Sequence, residues 1–410
     1  MRRAWWHLAW WSQRTSLVRP TFPATFHAIA RAVPYVRRSV AQTISFSLSK
    51  RERVEVEIHP TQTFTESVSA PLRDSNRMAS RDATAEDVAV ELQPFIRLYK
   101  SGRVERLIGN DTVPASLDDG TSTGGVASKD VTVDPATNLS VRLYLPTADG
   151  AAGEKLPIVV YFHGGGFMVE SAGSAKYHRY LNAFVARAGA IAVSVDYRRV
   201  PEHRLPAAYD DSWAALTWAV GAACGGTGSE PEPWLAEHGD PFRVFLAGDS
   251  AGANIAHNVA MRAAAAAAAE GLPAIRIRGV LLMHPYFWDA SDAMGPELEE
   301  RIRREWQLMT GRPDARVDDP WLSPTSARAP PLALLPTQRV LVAVAGEDFL
   351  APKGRAYYTA LLDSGWPGDA ELVDTPGEQH VFYLDQPGRV VAEKLMDRVV
   401  AFISRAGWYT

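Results

Sequence analysis

The sequence predicts an α/β protein built on an open, mostly parallel sheet with helices on both faces. One observation is a series of apolar, β-branched runs: "PIVVYF" (157–162), "AIAVSVDYR" (190–198), "FRVFLAG" (242–248), "IRGVLLMHP" (277–285) and "QRVLVAVAG" (338–346). Such runs are apolar on both faces, as central strands of a parallel sheet must be. A second is that helical patterns lie between them, which is the alternation a parallel sheet with crossover helices requires. A third is that glycines and prolines close several runs, where loops leave the sheet.

Taken in order, "AEDVAVELQPFIRLYKSGRVERL" (85–107) reads as an amphipathic helix interrupted at Pro94. Short β-like runs follow at 130–135 and 140–146, then the apolar strand 157–162. A helix is predicted over 177–189, a strand over 190–198 and a helix over 207–220. Residues 224–241 read as a loop, before the strand 242–248 and a helix over 252–271. The alanine run 263–269 extends that helix with its best former. After the strand 277–285 comes a long insertion, 291–324, with a helical centre near Glu297–Met309; an insertion above strand ends caps a site in such folds. The strand 338–346, a helix over 354–365 and a last strand closing at His380 complete the pattern.

The 410 residues are 46% hydrophobic, enough for a sizeable core, and carry a net charge of −4. That balance argues against a nucleic-acid partner or an acidic membrane surface. The single cysteine, Cys224, excludes an intrachain disulfide and lacks neighbours at ligand spacing. No apolar run is long enough for a transmembrane helix. Residues 1–51 are different in kind: arginines (Arg2, Arg3, Arg14, Arg19, Arg31, Arg37, Arg38), many Ser and Thr, and no acid before Glu52. This is the composition of a transit segment, while Met78-Ala79-Ser80 reads as an ordinary start that would make 1–77 an artefact of the gene model. Both readings leave 1–77 outside the fold and 78–410 as one domain. The expected location is cytoplasmic, or a plastid or other organelle if the transit reading holds.

Gly248-Asp249-Ser250-Ala251-Gly252 joins a predicted strand to a predicted helix, the context in which a G-x-S-x-G serine is held out as a nucleophile. The helix that starts after Ser250 points free N–H groups at developing negative charge. "YFHGGGF" (161–167) follows another strand. Consecutive glycines are an entropic liability unless the backbone itself is the functional group, as in an oxyanion hole. The donors would be the N–H of Gly165, that of Gly164 or Gly166, and that of Ala251. No Lys and Ser/Thr follow these glycines, so a phosphate loop is excluded. Asp348 and His380 then close strands in the chain order Ser, Asp, His. His380 would be the general base and Asp348 would orient it. Glu347 should point away from Asp348. Glu378 would shape the His380 loop, Asp249 would be structural, and His163 would brace the glycine loop. His284, in "MHPYF", ranks low because no later acid–base order follows it. Asp196-Tyr197-Arg198 and "PEHRLPAAYDD" would pin the sheet to the next helix.

"HGGGF", "GDSAG", "DYRRVPEHRLPAAYDD", "AGEDFLAPKGRAYY" and "GEQHVFYL" together resemble the plant carboxylesterase family, in the hormone-sensitive-lipase branch of the α/β-hydrolases. "PFIRLYKSGRVERLIGNDTVPAS" resembles the same family, so coverage runs from about residue 84 to the end. The resemblance implies an α/β-hydrolase fold and a serine esterase of small esters that needs no cofactor or metal. It puts the nucleophile on Ser250, the acid on Asp348, the base on His380 and the oxyanion donors on Gly164, Gly165 and Ala251. It also implies a helical lid made by the N-terminal segment and the 291–324 insertion, with Phe167, Met168, Trp288 and Trp306 as pocket or core residues. Gibberellin receptors are similar but lack the catalytic histidine, whereas His380 is present here. Relatives that dehydrate an isoflavanone or transesterify tuliposides keep the same triad, and remain the alternative chemistry. In the dehydratases the oxyanion region has a hydroxyl-bearing neighbour, which Phe167-Met168 does not offer.

Overall fold

The computed structural model describes residues 87–117, 125–147, 154–225, 232–270, 275–288 and 295–404. The extension 1–77 lies outside the described residues. In chain order the elements are β1 (Val88–Leu92), β2 (Ile96–Tyr99), β3 (Val104–Arg106), β4 (Val126–Asp134), β5 (Leu139–Pro146), β6 (Leu156–Phe162), α1 (Ala175–Ala188), β7 (Ile191–Asp196), α2 (Ala207–Ala223), α3 (Pro233–His238), β8 (Gly239–Asp249), α4 (Ala251–Glu270), β9 (Ile277–Met283), α5 (Pro296–Thr310), β10 (Thr337–Ala345), α6 (Ala351–Asp363), β11 (Asp369–Thr375), α7 (Phe382–Asp385) and α8 (Val390–Ser404).

The main sheet has eight strands in the order β11-β10-β9-β8-β6-β7-β5-β4. From β7 to β11 neighbours run parallel. β5 joins β7, and β4 joins β5, antiparallel. The central strands are buried on both faces, which explains their unbroken apolar runs: β6 carries Ile158, Val159 and Val160, each fully buried. Alternate residues feed two cores. Ile158, Val160 and Phe162 face the side of α2, α4 and α6, while Val159 and Tyr161 face α1 and α8.

The predicted N-terminal helix is not there. β1, β2 and β3 form a separate antiparallel three-stranded sheet. Val90 and Leu92 flank Glu91 at the strand period, although Ala, Glu and Leu are good helix formers, and a bulge separates Val88 from Val90. Among the described residues, the N-terminal part of the expected lid is therefore β, while the insertion supplies a helix, α5. α3 occupies part of the segment read as a loop. β11 stops at Thr375, so His380 lies on a loop beyond the strand and not at its end.

Candidate active site

Ser250 follows β8 directly and holds a left-handed backbone, φ 53°. A non-glycine residue there is uncommon and needs support from its surroundings. The support is main chain: the Ser250 N–H donates to the Met283 carbonyl at 2.9 Å, and the Ser250 carbonyl accepts from the Tyr286 N–H at 3.0 Å. The elbow also presses against the end of β6. A Cβ on Gly252 would stand 1.9 Å from the Phe162 carbonyl oxygen, so glycine is obligatory. α4 starts at Ala251, whose N–H, as the first of the helix, has no partner within it.

The glycine loop after β6 turns at Gly165, whose carbonyl accepts from the Met168 and Val169 N–H groups at 2.9 and 3.0 Å. Gly165 has φ +96°, and a Cβ there would lie 2.3 Å from the Val169 carbonyl oxygen. Gly164 corrects the donor assignment implied by the resemblance. Its N–H is taken by the Tyr177 hydroxyl at 2.8 Å and is not available to an oxyanion. The Tyr177 hydroxyl donates to Asp249 at 2.8 Å, and the Tyr161 hydroxyl donates to the other oxygen of the same carboxylate at 2.9 Å. Asp249, beside Ser250, thus holds the glycine loop through Tyr177. Burial raises its pKa, and the two tyrosine hydroxyls oppose that shift. Among the described residues no acceptor is recorded for the N–H groups of Gly165 and Gly166, so the available donors are those of Gly165, Gly166 and Ala251.

His380 and Asp348 meet as expected. His380 Nδ1 and Asp348 Oδ2 are 2.6 Å apart, with the Asp348 side chain buried and that of His380 one-third exposed. The Leu350 N–H donates to the other Asp348 oxygen at 2.9 Å. Glu347 points to solvent. Glu378 shapes the His380 loop as expected: its carboxylate pairs with Arg389 and its carbonyl accepts the Glu347 N–H at 2.9 Å. His163 is fully buried, hydrogen-bonds Gly164 at 2.8 Å and stacks on Tyr197 at 4.2 Å; burial lowers its pKa to about 3. Arg198, after β7, pairs with Asp211 on α2, so that motif pins sheet to helix.

Phe167, Met168, Trp288 and Trp306 are all buried. Phe167 meets Tyr286 and Trp306 edge-on, with ring centroids 6.3 and 6.4 Å apart, so these rings stand next to the elbow that Tyr286 holds. Trp288, two residues after Tyr286, has the Lys353 ammonium 4.7 Å from its ring centre. The β1–β3 sheet reaches the glycine loop through two contacts. Phe95 approaches Gly166, and Arg106 donates to the Met168 carbonyl at 2.8 Å while pairing with Glu202. α5 joins that sheet through Arg301, which donates to the Gln93 carbonyl at 3.1 Å.

Sequence reasoning gave Tyr161 and Tyr177 no part in the site, and it ranked His284 low as an acid–base candidate. His284 ends β9, the strand between those of Ser250 and Asp348, and accepts the Val381 N–H on Nδ1 at 2.8 Å. Its signal was its position after an apolar run, which gains meaning only once the strand order is known.

A serine on a strained strand–helix elbow, a His–Asp pair on the same sheet edge and a loop of free N–H groups define a nucleophilic hydrolase site. A family described as alpha/beta hydrolase fold matches residues 159–384, and the chain belongs to that family. Tuliposide A-converting enzyme 1, chloroplastic, of Tulipa gesneriana is 44% identical over 327 residues, covering 78% of this chain and 79% of its own. Probable carboxylesterase 13 of Arabidopsis thaliana is 44% identical over 328 residues, 77% of this chain and 98% of its own. Among solved structures, esterase LipW from Mycobacterium marinum superposes with a TM-score of 0.56 at 28% identity, over 70% of this chain and 84% of its own.

Proposed function

We propose that this protein is a serine carboxylesterase acting on small carboxylic esters. Ser250 attacks the ester carbonyl while His380 takes its proton. The tetrahedral oxyanion is received by the N–H groups of Gly165, Gly166 and Ala251. His380 then protonates the leaving alcohol, and water hydrolyses the acyl-enzyme by the same route. Asp348 holds the imidazole in the tautomer that presents its free nitrogen to Ser250 and stabilises the cation that forms. The observation that carries this reading is the 2.6 Å His380–Asp348 hydrogen bond on the sheet edge where Ser250 is held out. The carboxylesterase relative and the esterase neighbours support it. Phe167, Met168, Tyr286 and Trp306 are proposed to bound the acyl pocket.

The test is hydrolysis of p-nitrophenyl acetate and butyrate by the full chain beside Ser250→Ala and His380→Ala. Both substitutions should leave the fold intact and remove nearly all turnover. Retained turnover by Ser250→Ala would remove that serine from its role. The tulip relatives, by their names, convert tuliposide A, which favours a second outcome at the same acyl-enzyme: transfer to a hydroxyl instead of water. Product analysis, free acid against lactone or new ester, separates the two. Those relatives are also designated chloroplastic or amyloplastic. With the arginine-rich, acid-poor composition of residues 1–51, this supports a plastid location over the cytoplasmic one. A fluorescent fusion retaining the N-terminus tests it, with diffuse cytoplasmic signal as the opposing result. Among the described residues no helix is long and apolar enough to cross a membrane.

A further inference from the structure

The turn Met283-His284-Pro285-Tyr286 leaves β9 between the strand that carries Ser250 and the strand that leads to Asp348. Its main chain holds both groups of the Ser250 peptide, through Met283 and Tyr286, and the His284 N–H is anchored on the Ala343 carbonyl at 2.8 Å. The His284 ring reaches the third participant, because its Nδ1 accepts the N–H of Val381, the residue after His380, at 2.8 Å. His284 and Val381 both hold left-handed backbones, φ 46° and 49°. For a β-branched residue that is an outlier, and it persists only where the surroundings enforce it. An Nδ1 that accepts leaves the ring proton on Nε2. That atom is buried with no partner among the described residues. One ring nitrogen of His284, one of His380 and an Asp348 oxygen all lie within 4.8 Å of one another.

We propose that His284 is a positioning residue for the esterase reaction: by accepting the Val381 N–H it fixes the backbone next to His380, and so the aim of the His380 ring between Asp348 and Ser250. This rests on the esterase reading given above. His284 needs no contact with substrate, since it acts through His380. Burial and the neighbouring His380 lower its pKa to about 3, so it adds no second cation beside the imidazolium formed during turnover.

A purely structural role would rest on ring packing, for His284 lies 5.7 Å from the Phe382 ring and 5.6 Å from the Tyr383 ring. Two substitutions separate the roles. His284→Phe keeps an aromatic ring and removes the acceptor. His284→Asn removes the ring but sets an amide oxygen where Nδ1 stood, and asparagine tolerates the left-handed backbone. For p-nitrophenyl butyrate, His284→Phe should lower kcat by about ten- to a hundredfold with KM within about twofold, the scale of a misplaced catalytic group. Phosphylation of Ser250 by diethyl p-nitrophenyl phosphate, which uses the same base, should slow in parallel. His284→Asn should keep kcat within about threefold of the parent even if its melting temperature falls. An active parent with an unimpaired His284→Phe, or a folded His284→Asn no better than His284→Phe, overturns the proposal alone. If His284→Phe does not fold, a tenfold loss of kcat in folded His284→Asn overturns it. A parent that neither turns over ester nor is phosphylated overturns the esterase reading, and this inference with it.

Discussion

Ser250, Asp348 and His380 each depend on a neighbour that holds them. The Gly252 contact makes this testable. In Gly252→Ala the new methyl would meet the Phe162 carbonyl at 1.9 Å, and backbone cannot yield as a side-chain tip can. We expect a loss at the upper end for single substitutions, above about 4 kcal/mol, read as a lowered urea midpoint or as insoluble protein. Asp348→Asn keeps the shape and removes the partner that sets the His380 tautomer. Its kcat should fall by about 10³ to 10⁴ with little change in melting temperature. Tyr177→Phe should strand both the Gly164 N–H and one oxygen of Asp249, at a cost of about 1–3 kcal/mol in stability and a lower kcat. An unchanged stability curve would mean that another group satisfies them. Ser250, Asp348 and His380 could be picked out in the sequence because Ser250 directly follows an apolar run and the other two come after it in the chain order Ser, Asp, His, although both lie on loops beyond their strands. The contacts of Tyr161 and Tyr177 with Asp249 and of His284 with Val381 could not, since those partners lie 72 to 97 residues away in the chain.

At the scale of elements, the central strands and most helices were readable because burial on both faces leaves an unbroken apolar run. The N-terminal segment misled because its helix formers point to one state, while Val90, Glu91 and Leu92 pair across a sheet with Leu98, Arg97 and Ile96, beyond a bulge after Val88. That sheet makes a specific prediction. Arg106 ties β3 to the Met168 carbonyl and to Glu202, so it anchors the β1–β3 sheet against the loop that would receive the oxyanion. Arg106→Ala should raise KM by about threefold or more and lower stability by about 1–3 kcal/mol, since a charge-assisted contact is lost. Steady-state kinetics on p-nitrophenyl butyrate with a thermal melt measures both, and an unchanged KM would separate this sheet from the substrate site.

For the whole molecule, buried histidines contribute to the response to acid. His163, His257 and His284 are each buried, and burial lowers each pKa from 6.5 to about 3. Once unfolded, each ring binds a proton below about pH 6.5. Between pH 6.5 and 3 the unfolded chain therefore holds more protons, and stability falls as pH drops through that window. Above it the contribution is complete and flat. Each ring adds up to about 1.4 kcal/mol per pH unit to the slope. His257 is the cleanest probe because it lies away from the site, against the Tyr357 hydroxyl at 3.0 Å. Urea midpoints at pH 7.5 and 5.0 should show His257→Gln losing about 2 kcal/mol less on acidification than the parent.

The elbow at Ser250 is secured by peptide groups: the Met283 carbonyl below it and the Tyr286 N–H above it. Peptide groups are common to every amino acid, so apart from Gly252, where a Cβ would clash, side-chain changes leave that frame of two hydrogen bonds available. The rings of Phe167, Tyr286 and Trp306, and the residues of β1–β3 and α5, are side-chain choices layered on top of it. A lineage carrying this chain could therefore exchange its recognised esters by ordinary point mutation while inheriting its bond-breaking apparatus unaltered.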